Sequence, residues 1–271
     1  MPRDAAVPEL RQGRHSGNDP ATRMSHEHLV ETFGGRYRVR IAANSGDLDT
    51  VLALRKACFG GAAGRADAHD ATAIQVFVEA ADNNALVCSY RLRLLEGGEL
   101  HRSYAAQFYD LRRLSAHEGV MMELGRFCID RNYRDPDILR LAWCAITALV
   151  DARNVKMLFG CSSFAGVDPR PYHDAFGMLR ARHLAPPAWR PGIGAAEVFA
   201  FADIPRDRPD PRAAALQMPP PLRSYLLMGG RVSDHAVVDR ALQTLHVFTA
   251  LEVAAIPEGR KRSLRALVQQ I

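Results

Sequence analysis

The sequence predicts a mixed α/β fold: a mostly antiparallel sheet flanked by helices, with a strand–helix–strand unit at its centre. Three observations predict it. Two strand patterns joined by a short turn lie early in the chain, a proline-started apolar helix sits between two apolar strands in the middle, and a further helix and strand follow. In order, "RYRVRIA" (Arg36 to Ala42) alternates as a strand, and "SGDLDTVLALRKACF" (Ser45 to Phe59) reads as a helix with Ser45 as N-cap and Asp47 and Asp49 at its positive end. "AIQVFVEA" and "ALVCSYRLRLL", separated by "ADNN", read as antiparallel neighbours. Glu96 to Gly119 is less regular.

Val120 to Ile129 has helical spacing as well. Its short length, Gly125 in the middle and Asp130-Arg131-Asn132 behind it favour a strand. The next helix takes Asp135 as N-cap and Pro136 at its first position, and runs through Val150 to a stop at Asn154. Its apolar residues fall on nearly every side, which predicts cover on both. "KMLFGCSSF" gives a strand, "DPRPYHDAFGMLRARHL" a helix and "AAEVFAFADI" a strand.

The expected organisation is a flexible tail over residues 1–33, a principal domain over 34–204, and an extension over 205–271 packing on it, with a boundary at Pro205 to Arg212. The end of the chain, "EGRKRSLRALVQQI", is a short basic amphipathic helix. One reading lets Arg260, Lys261, Arg262 and Arg265 meet lipid headgroups while Leu264, Leu267, Val268 and Ile271 enter the acyl boundary; the other is an ordinary solvated helix.

Hydrophobic residues make up 48% of the chain, enough for a full core. The net charge of +5 comes almost wholly from arginine, since Lys56, Lys156 and Lys261 are the only lysines. Arginine grips phosphates and carboxylates through a two-pronged donor set, so an acidic partner or anionic surface is expected. Zinc-finger spacing and basic–aromatic tracts are absent, which argues against nucleic acid. Cys58, Cys88, Cys128, Cys144 and Cys161 are odd in number, widely spaced and without a C-x-x-C pair, so they read as reduced thiols and not as a metal site. With no apolar run of the roughly 20 residues that a span needs, the expected location is cytoplasmic, with contact to the inner-membrane surface through the last helix as an option.

The stretch "MMELGRFCIDRNYRDPDILRLAW" places Glu123 and Arg126 in an apolar strand. Regular alternation would send them to opposite faces; a bulge at Gly125 would bring them to one. Glu123 is then a candidate general base, its carboxylate held by Arg126 or by Arg91, with a buried structural ion pair as the alternative. The turn Arg131-Asn132-Tyr133-Arg134 precedes a helix start, where phosphates often bind. It lacks the glycines of a pyrophosphate cradle, and Asp135 and Asp137 add negative charge. Arg131 and Arg134 therefore suit a carrier with one phosphate and an acidic surface, or else belong to a solvated turn. "GCSSFAG" does not meet G-x-S-x-G. Ser162 and Ser163 instead mark a small-residue strand end past which a thioester-bearing arm can run.

"ELGRFCIDRNYR", "LFGCSSFAGVDPRPYH", "HLAPPAWRP", "PPPLRSYLLMGG" and "DHAVVDR" resemble the bacterial ornithine N-acyltransferase family, over about Arg36 to Leu251. The resemblance implies an N-acetyltransferase-like (GNAT) fold. It also implies transfer of a 3-hydroxyacyl chain from acyl carrier protein to the α-amino group of ornithine, giving lyso-ornithine lipid. A more distant likeness is to acyl-homoserine lactone synthases, whose pattern is met by Arg55, Phe59, Asp67, Asp70, Arg91, Glu123 and Arg126; it implies that these line the acceptor and reaction site. The tryptophan expected in that family's early loop has no counterpart between Phe59 and Asp70.

The resemblance further implies no bound cofactor, with acyl-phosphopantetheine on the carrier protein as the donor substrate. The R/Q-x-x-G-x-G/A loop that holds coenzyme A in ordinary GNAT enzymes is absent. In the implied reaction Asp67 and Asp70 hold the amine, Glu123 removes its proton, Arg126 and Arg91 orient Glu123 and the substrate carboxylate, and Arg131 and Arg134 meet the carrier. Two rival readings are a GNAT enzyme using acyl-coenzyme A on another small amine and a non-enzymatic membrane-binding protein.

Overall fold

The computed structural model describes residues 31–33, 35–61, 64–204 and 208–269. The strands are β1 (Glu31–Phe33), β2 (Tyr37–Ile41), β3 (Ile74–Ala80), β4 (Leu86–Leu95), β5 (Tyr109–Asp110), β6 (Met121–Ile129), β7 (Met157–Ala165), β8 (Gly192–Ile193), β9 (Val198–Ala200), β10 (Arg231–Val232), β11 (His235–Asp239) and β12 (Thr244–Glu252). The helices are α1 (Ser45–Phe59), α2 (Pro136–Ala152), α3 (His173–Arg182), α4 (Pro211–Gln217), α5 (Pro220–Leu227) and α6 (Glu258–Gln269). Nine strands run in the order β1-β2-β3-β4-β6-β7-β12-β11-β9, with β10 pairing on β12. Among the described residues β6 and β7 form the one parallel strand pair, because α2 carries the chain back between them.

Local chemistry sets the helix ends. The cap of α1 is Asn44, one residue before the expected Ser45. Its side chain accepts the Asp47 N–H at 3.1 Å, and the Asp47 carboxylate accepts the N–H groups of Asn44 and Ala43. Arg40 then clamps Asp47 and Glu79 together, joining α1 to β2 and β3; its hydrogen bonds hold the Asp47 carboxyl down at about 2. In α2, Asp135 accepts the Asp137 N–H at 2.9 Å and Pro136 opens the helix as expected. It ends after Ala152, where Asn154 takes φ +49° and the Val155 N–H bonds back to the Val150 carbonyl.

Helix α2 is covered on both sides. Its Ile138, Leu141, Ala142 and Ile146 share a core with Val76, Tyr90, Leu92 and Leu124 of the sheet, and α6 lies on its far side. Leu264, expected at a lipid surface, packs against that core, and Arg265, exposed, pairs with Asp151 at 2.9 Å. Val268 and the other late apolar residues expected there lie outside the described side chains. No helix among the described residues is long and apolar enough to cross a membrane.

The chain beyond Pro205 does not stay outside the sheet. Strand β12 lies between β7 and β11 and pairs with β7 along nine positions, from Thr244↔Ala165 to Glu252↔Met157. The expected extension thus completes the same sheet. Residues 1–30 of the expected tail lie outside the described residues, whereas Glu31–Phe33 pairs with β2. The helix expected over Asp168 to Leu184 begins as a 3-10 turn at Arg170–Tyr172, and the strand expected over Ala195 to Ile204 shortens to β9 with a 3-10 turn after it.

Candidate active site

Two distortions at the centre of the sheet open a cleft. Strands β6 and β7 pair from Met121↔Met157 to Leu124↔Gly160 and no further, although each continues for five residues. At the last pair they approach so closely that a Cβ on Gly160 would stand 2.3 Å from the Leu124 carbonyl oxygen. Past it the strands part. On its other edge β6 pairs Gly125 with Arg91 and then Cys128 with Ser89, so three steps on β6 oppose two on β4. The extra residue is a bulge, and Arg126 within it takes φ +53°, an uncommon conformation for a residue with a side chain. The bulge therefore lies at Arg126 and Phe127, one step past the expected Gly125, which remains paired.

The resulting cleft holds about 530 Å3. Arg91, Arg93, Tyr104, Glu123 and Arg126 line it, as do Ser162, Leu222, Tyr225, Thr249, Thr244 and His246. Glu123 and Arg126 both meet Tyr104. Glu123 accepts the Tyr104 N–H at 3.0 Å, and the Arg126 guanidinium stands 5.2 Å from the centre of the Tyr104 ring.

They are not paired with each other. Arg126 donates to Asp67 at 2.9 Å, and Arg91 bridges Asp67 at 2.6 Å and Asp70 at 2.9 Å. Arg55, fully buried on α1, donates to Asp70 at 2.7 Å and to Gln75 at 2.8 Å. Arg55, Asp67, Asp70, Arg91 and Arg126 thus form one network. Burial pushes both aspartates upward, and the pull of Arg91 and Arg126 on Asp67, and of the Asp67 N–H and Arg55 on Asp70, outweighs it and holds both below their ordinary values. Their carboxylates hold arginines, which departs from the expected role of holding an amine.

Neither Arg126 nor Arg91 holds the Glu123 carboxylate. Its two oxygens accept the backbone N–H groups of Tyr104 (3.0 Å) and Ala105 (2.8 Å), and Arg93 lies 3.7 Å away. Burial, with 4% of the residue exposed, nonetheless raises its pKa against these donors. Arg93 also donates to the Arg102 carbonyl and lies 2.8 Å from His69 Nδ1, so it ties the 102–105 segment to β4. The sequence reading missed this partner. Arg93 lies two residues from Arg91 in "RLRL", so period-two alternation already put both on one face. Tyr104 and Ala105 sit in the irregular Glu96–Gly119 segment and gave no signal.

Phe59, 41% exposed, lines the cleft at the end of α1. Ser162 and Ser163 line it from β7, and the Thr249 hydroxyl donates to Ser162 at 3.0 Å. Arg131 and Arg134 stand exposed in the turn before α2, where Arg131 donates to the Cys58 carbonyl at 2.8 Å. The first N–H of α2, that of Asp137, is occupied by the Asp135 carboxylate, and Arg36 pairs with both Asp135 and Asp137. Among the described residues no group of three or more His, Cys, Asp or Glu side chains could hold a metal ion.

A sheet parted where β6 and β7 run parallel, with a bulge beside the opening, is the frame of a GNAT acyltransferase. The acetyltransferase (GNAT) domain family matches residues 56–144, which run from α1 through β6 into α2. The L-ornithine N(alpha)-acyltransferase of Rhodobacter capsulatus is 33% identical over 182 residues, covering 66% of this chain and 69% of that protein. The enzyme of the same name from Agrobacterium fabrum is 30% identical, covering 82% and 76%. Among solved structures, FeeM, an N-acyl amino acid synthase from uncultured soil microbes, covers 87% of this chain and 98% of its own at 14% identity, with a TM-score of 0.47. This chain belongs to the L-ornithine N(alpha)-acyltransferase family and is an N-acyltransferase.

Proposed function

We propose that the chain moves a 3-hydroxyacyl group from acyl carrier protein to the α-amino group of ornithine, giving lyso-ornithine lipid. The observation that carries this reading is the opening between β6 and β7 beyond Leu124 and Gly160, walled on one side by Glu123 and Arg126. A thioester arm enters the gap past Ser162 and Ser163, and its carbonyl meets the main chain of β6 where no strand covers it. Backbone N–H groups there favour the oxyanion of the tetrahedral intermediate.

The amine nitrogen attacks the carbonyl carbon, the C–N bond forms and the C–S bond breaks. Glu123 takes the amine proton and returns it to the leaving thiolate; a buried carboxyl with a raised pKa is suited to both steps. Arg126 carries a buried Nε without a partner and lines the cleft, which suits it to the substrate carboxylate. The network of Asp67, Asp70, Arg55 and Arg91 holds Arg126 in place. On the donor side, occupation of the first α2 N–H by Asp135 disfavours a pyrophosphate, and exposed Arg131 and Arg134 favour a protein carrier with a single phosphate.

The test gives the purified protein ornithine with one acyl chain presented either on acyl carrier protein or on coenzyme A, and reads the amide by mass spectrometry. N-acylornithine should form at least about tenfold more efficiently from the carrier, with Arg131→Glu and Arg134→Glu raising the carrier KM in a salt-dependent way. Equal use of coenzyme A would overturn the donor assignment, and absence of an ornithine amide would overturn the acceptor.

A further inference from the structure

Three acceptor groups, Asp239, Thr244 and His246, share one face of the hairpin formed by β11 and β12, where Thr244 and His246 line the cleft. Asp239 ends β11 opposite Thr244, the first residue of β12, and cross-strand partners share a face. Thr244 and His246, two residues apart, lie on that face as well. Asp239 is 7% exposed. Its carboxylate accepts the Leu242 N–H at 2.9 Å, and among the described residues no cation pairs with it; the adjacent Arg240 is taken by Glu197. A buried carboxylate without a counter-charge is costly, so this one calls for a cation.

The other two groups agree. The Thr244 hydroxyl is buried without a partner and its residue lines the cleft. His246 lines the cleft and is 2% exposed. Tyr109 spends its hydroxyl proton on the His246 carbonyl at 2.8 Å, so the contact of its oxygen with Nδ1 at 3.1 Å needs the imidazole to donate. Nδ1 then carries the proton, and Nε2, which has no partner, is a bare acceptor. Burial holds the ring pKa down at about 4, so it stays neutral near pH 7. Asp239 opposes this shift and His235, across the hairpin, adds to it.

We propose that Asp239, Thr244 and His246 receive the side-chain ammonium of the acceptor amino acid and so select a diamino acid over a neutral one. An ammonium offers three N–H donors and one positive charge, which matches three acceptors of which one is a carboxylate. The same cleft is lined by Arg91, Arg93 and Arg126, so it is complementary to a molecule that carries both an anion and a cation. Spacing allows it: Gly160, where the strands part, and Ser163, which pairs with His246, are three residues apart on β7, about 10 Å at ~3.3 Å per residue. A three-methylene side chain together with the reach of the imidazole and carboxylate spans that gap.

The inference rests on the amino-acid acceptor proposed above, and the test separates the two. Acylation of ornithine and of norvaline, its neutral counterpart without the terminal nitrogen, is measured for the wild type, Asp239→Asn and Thr244→Val. Asn keeps an acceptor for the Leu242 N–H, and Val keeps the shape of Thr. The wild type should prefer ornithine by on the order of a hundredfold in kcat/KM. Asp239→Asn should shrink that preference at least about tenfold through KM, and Thr244→Val should shrink it less in the same direction. An unchanged preference in both variants overturns the receptor and leaves the acceptor reading standing. A wild type that acylates neither amino acid overturns both.

Discussion

Replacing Glu123 by Gln separates chemistry from architecture at a buried, cleft-lining carboxylate that holds no arginine in a close pair. Glu123 offers an oxygen to each of two backbone donors, Tyr104 N–H at 3.0 Å and Ala105 N–H at 2.8 Å. Glutamine supplies one oxygen and turns an N–H2 group on the other donor. Losing a hydrogen bond to a charged acceptor costs about 1.5–3 kcal/mol, and removing a buried charge returns part of it. The net destabilisation is thus at most about 3 kcal/mol, or several degrees in Tm at about 2–4 °C per kcal/mol for a domain of this size. Against a total stability of about 5–15 kcal/mol the variant remains folded.

Its acyl transfer should nevertheless fall by about 10²- to 10⁴-fold, the usual worth of a positioned base. The pH dependence supplies a second reading. Burial raises the Glu123 pKa, so the wild-type rate should climb as pH rises through that elevated value, and Glu123→Gln should lose this limb. The same shift has a stability consequence of definite sign: the protonated form is favoured by folding, so its contribution is present below the unfolded pKa and is lost as pH rises through the folded one. Single-turnover acylation and thermal unfolding on the same preparation decide the matter. A folded variant whose rate stays within about threefold of wild type would refute the general-base role.

Two other perturbations probe the frame around that site. Gly160→Ala drives a Cβ against the Leu124 carbonyl, where only 2.3 Å is available, so it should destabilise by about 1–3 kcal/mol and depress acyl transfer by forcing β6 and β7 apart; unchanged Tm and rate would show that the strands yield without cost. Asp70→Asn removes the charge shared by Arg55 and Arg91 and should cost about 3–5 kcal/mol in urea unfolding at neutral pH. Because the Asp70 pKa is depressed, its contribution is present above the unfolded value and lost as pH falls, so the variant should also show a shallower acid limb.

Much of this protein follows from local sequence. Asp135-Pro136 starts α2 and Asn154 ends it because cap geometry is a short-range matter of one side chain reaching one amide. The alternation of β2 is equally local, whereas β3 and β4 are buried on both faces by what packs on them. The family motifs in the chain already pointed to an acyltransferase, and Arg55, Asp67, Asp70, Arg91 and Arg126 do gather in one network. Only the tertiary structure decided who holds whom. Hydrogen-bond partners 18 or 59 residues apart, such as Ala105 with Glu123 or Asp67 with Arg126, depend on loop paths that no periodicity encodes. The same holds for β12. Its pairing with β7 joins segments far apart in the chain, and it brings Thr244 and His246 to the cleft although composition alone set them in an outlying extension.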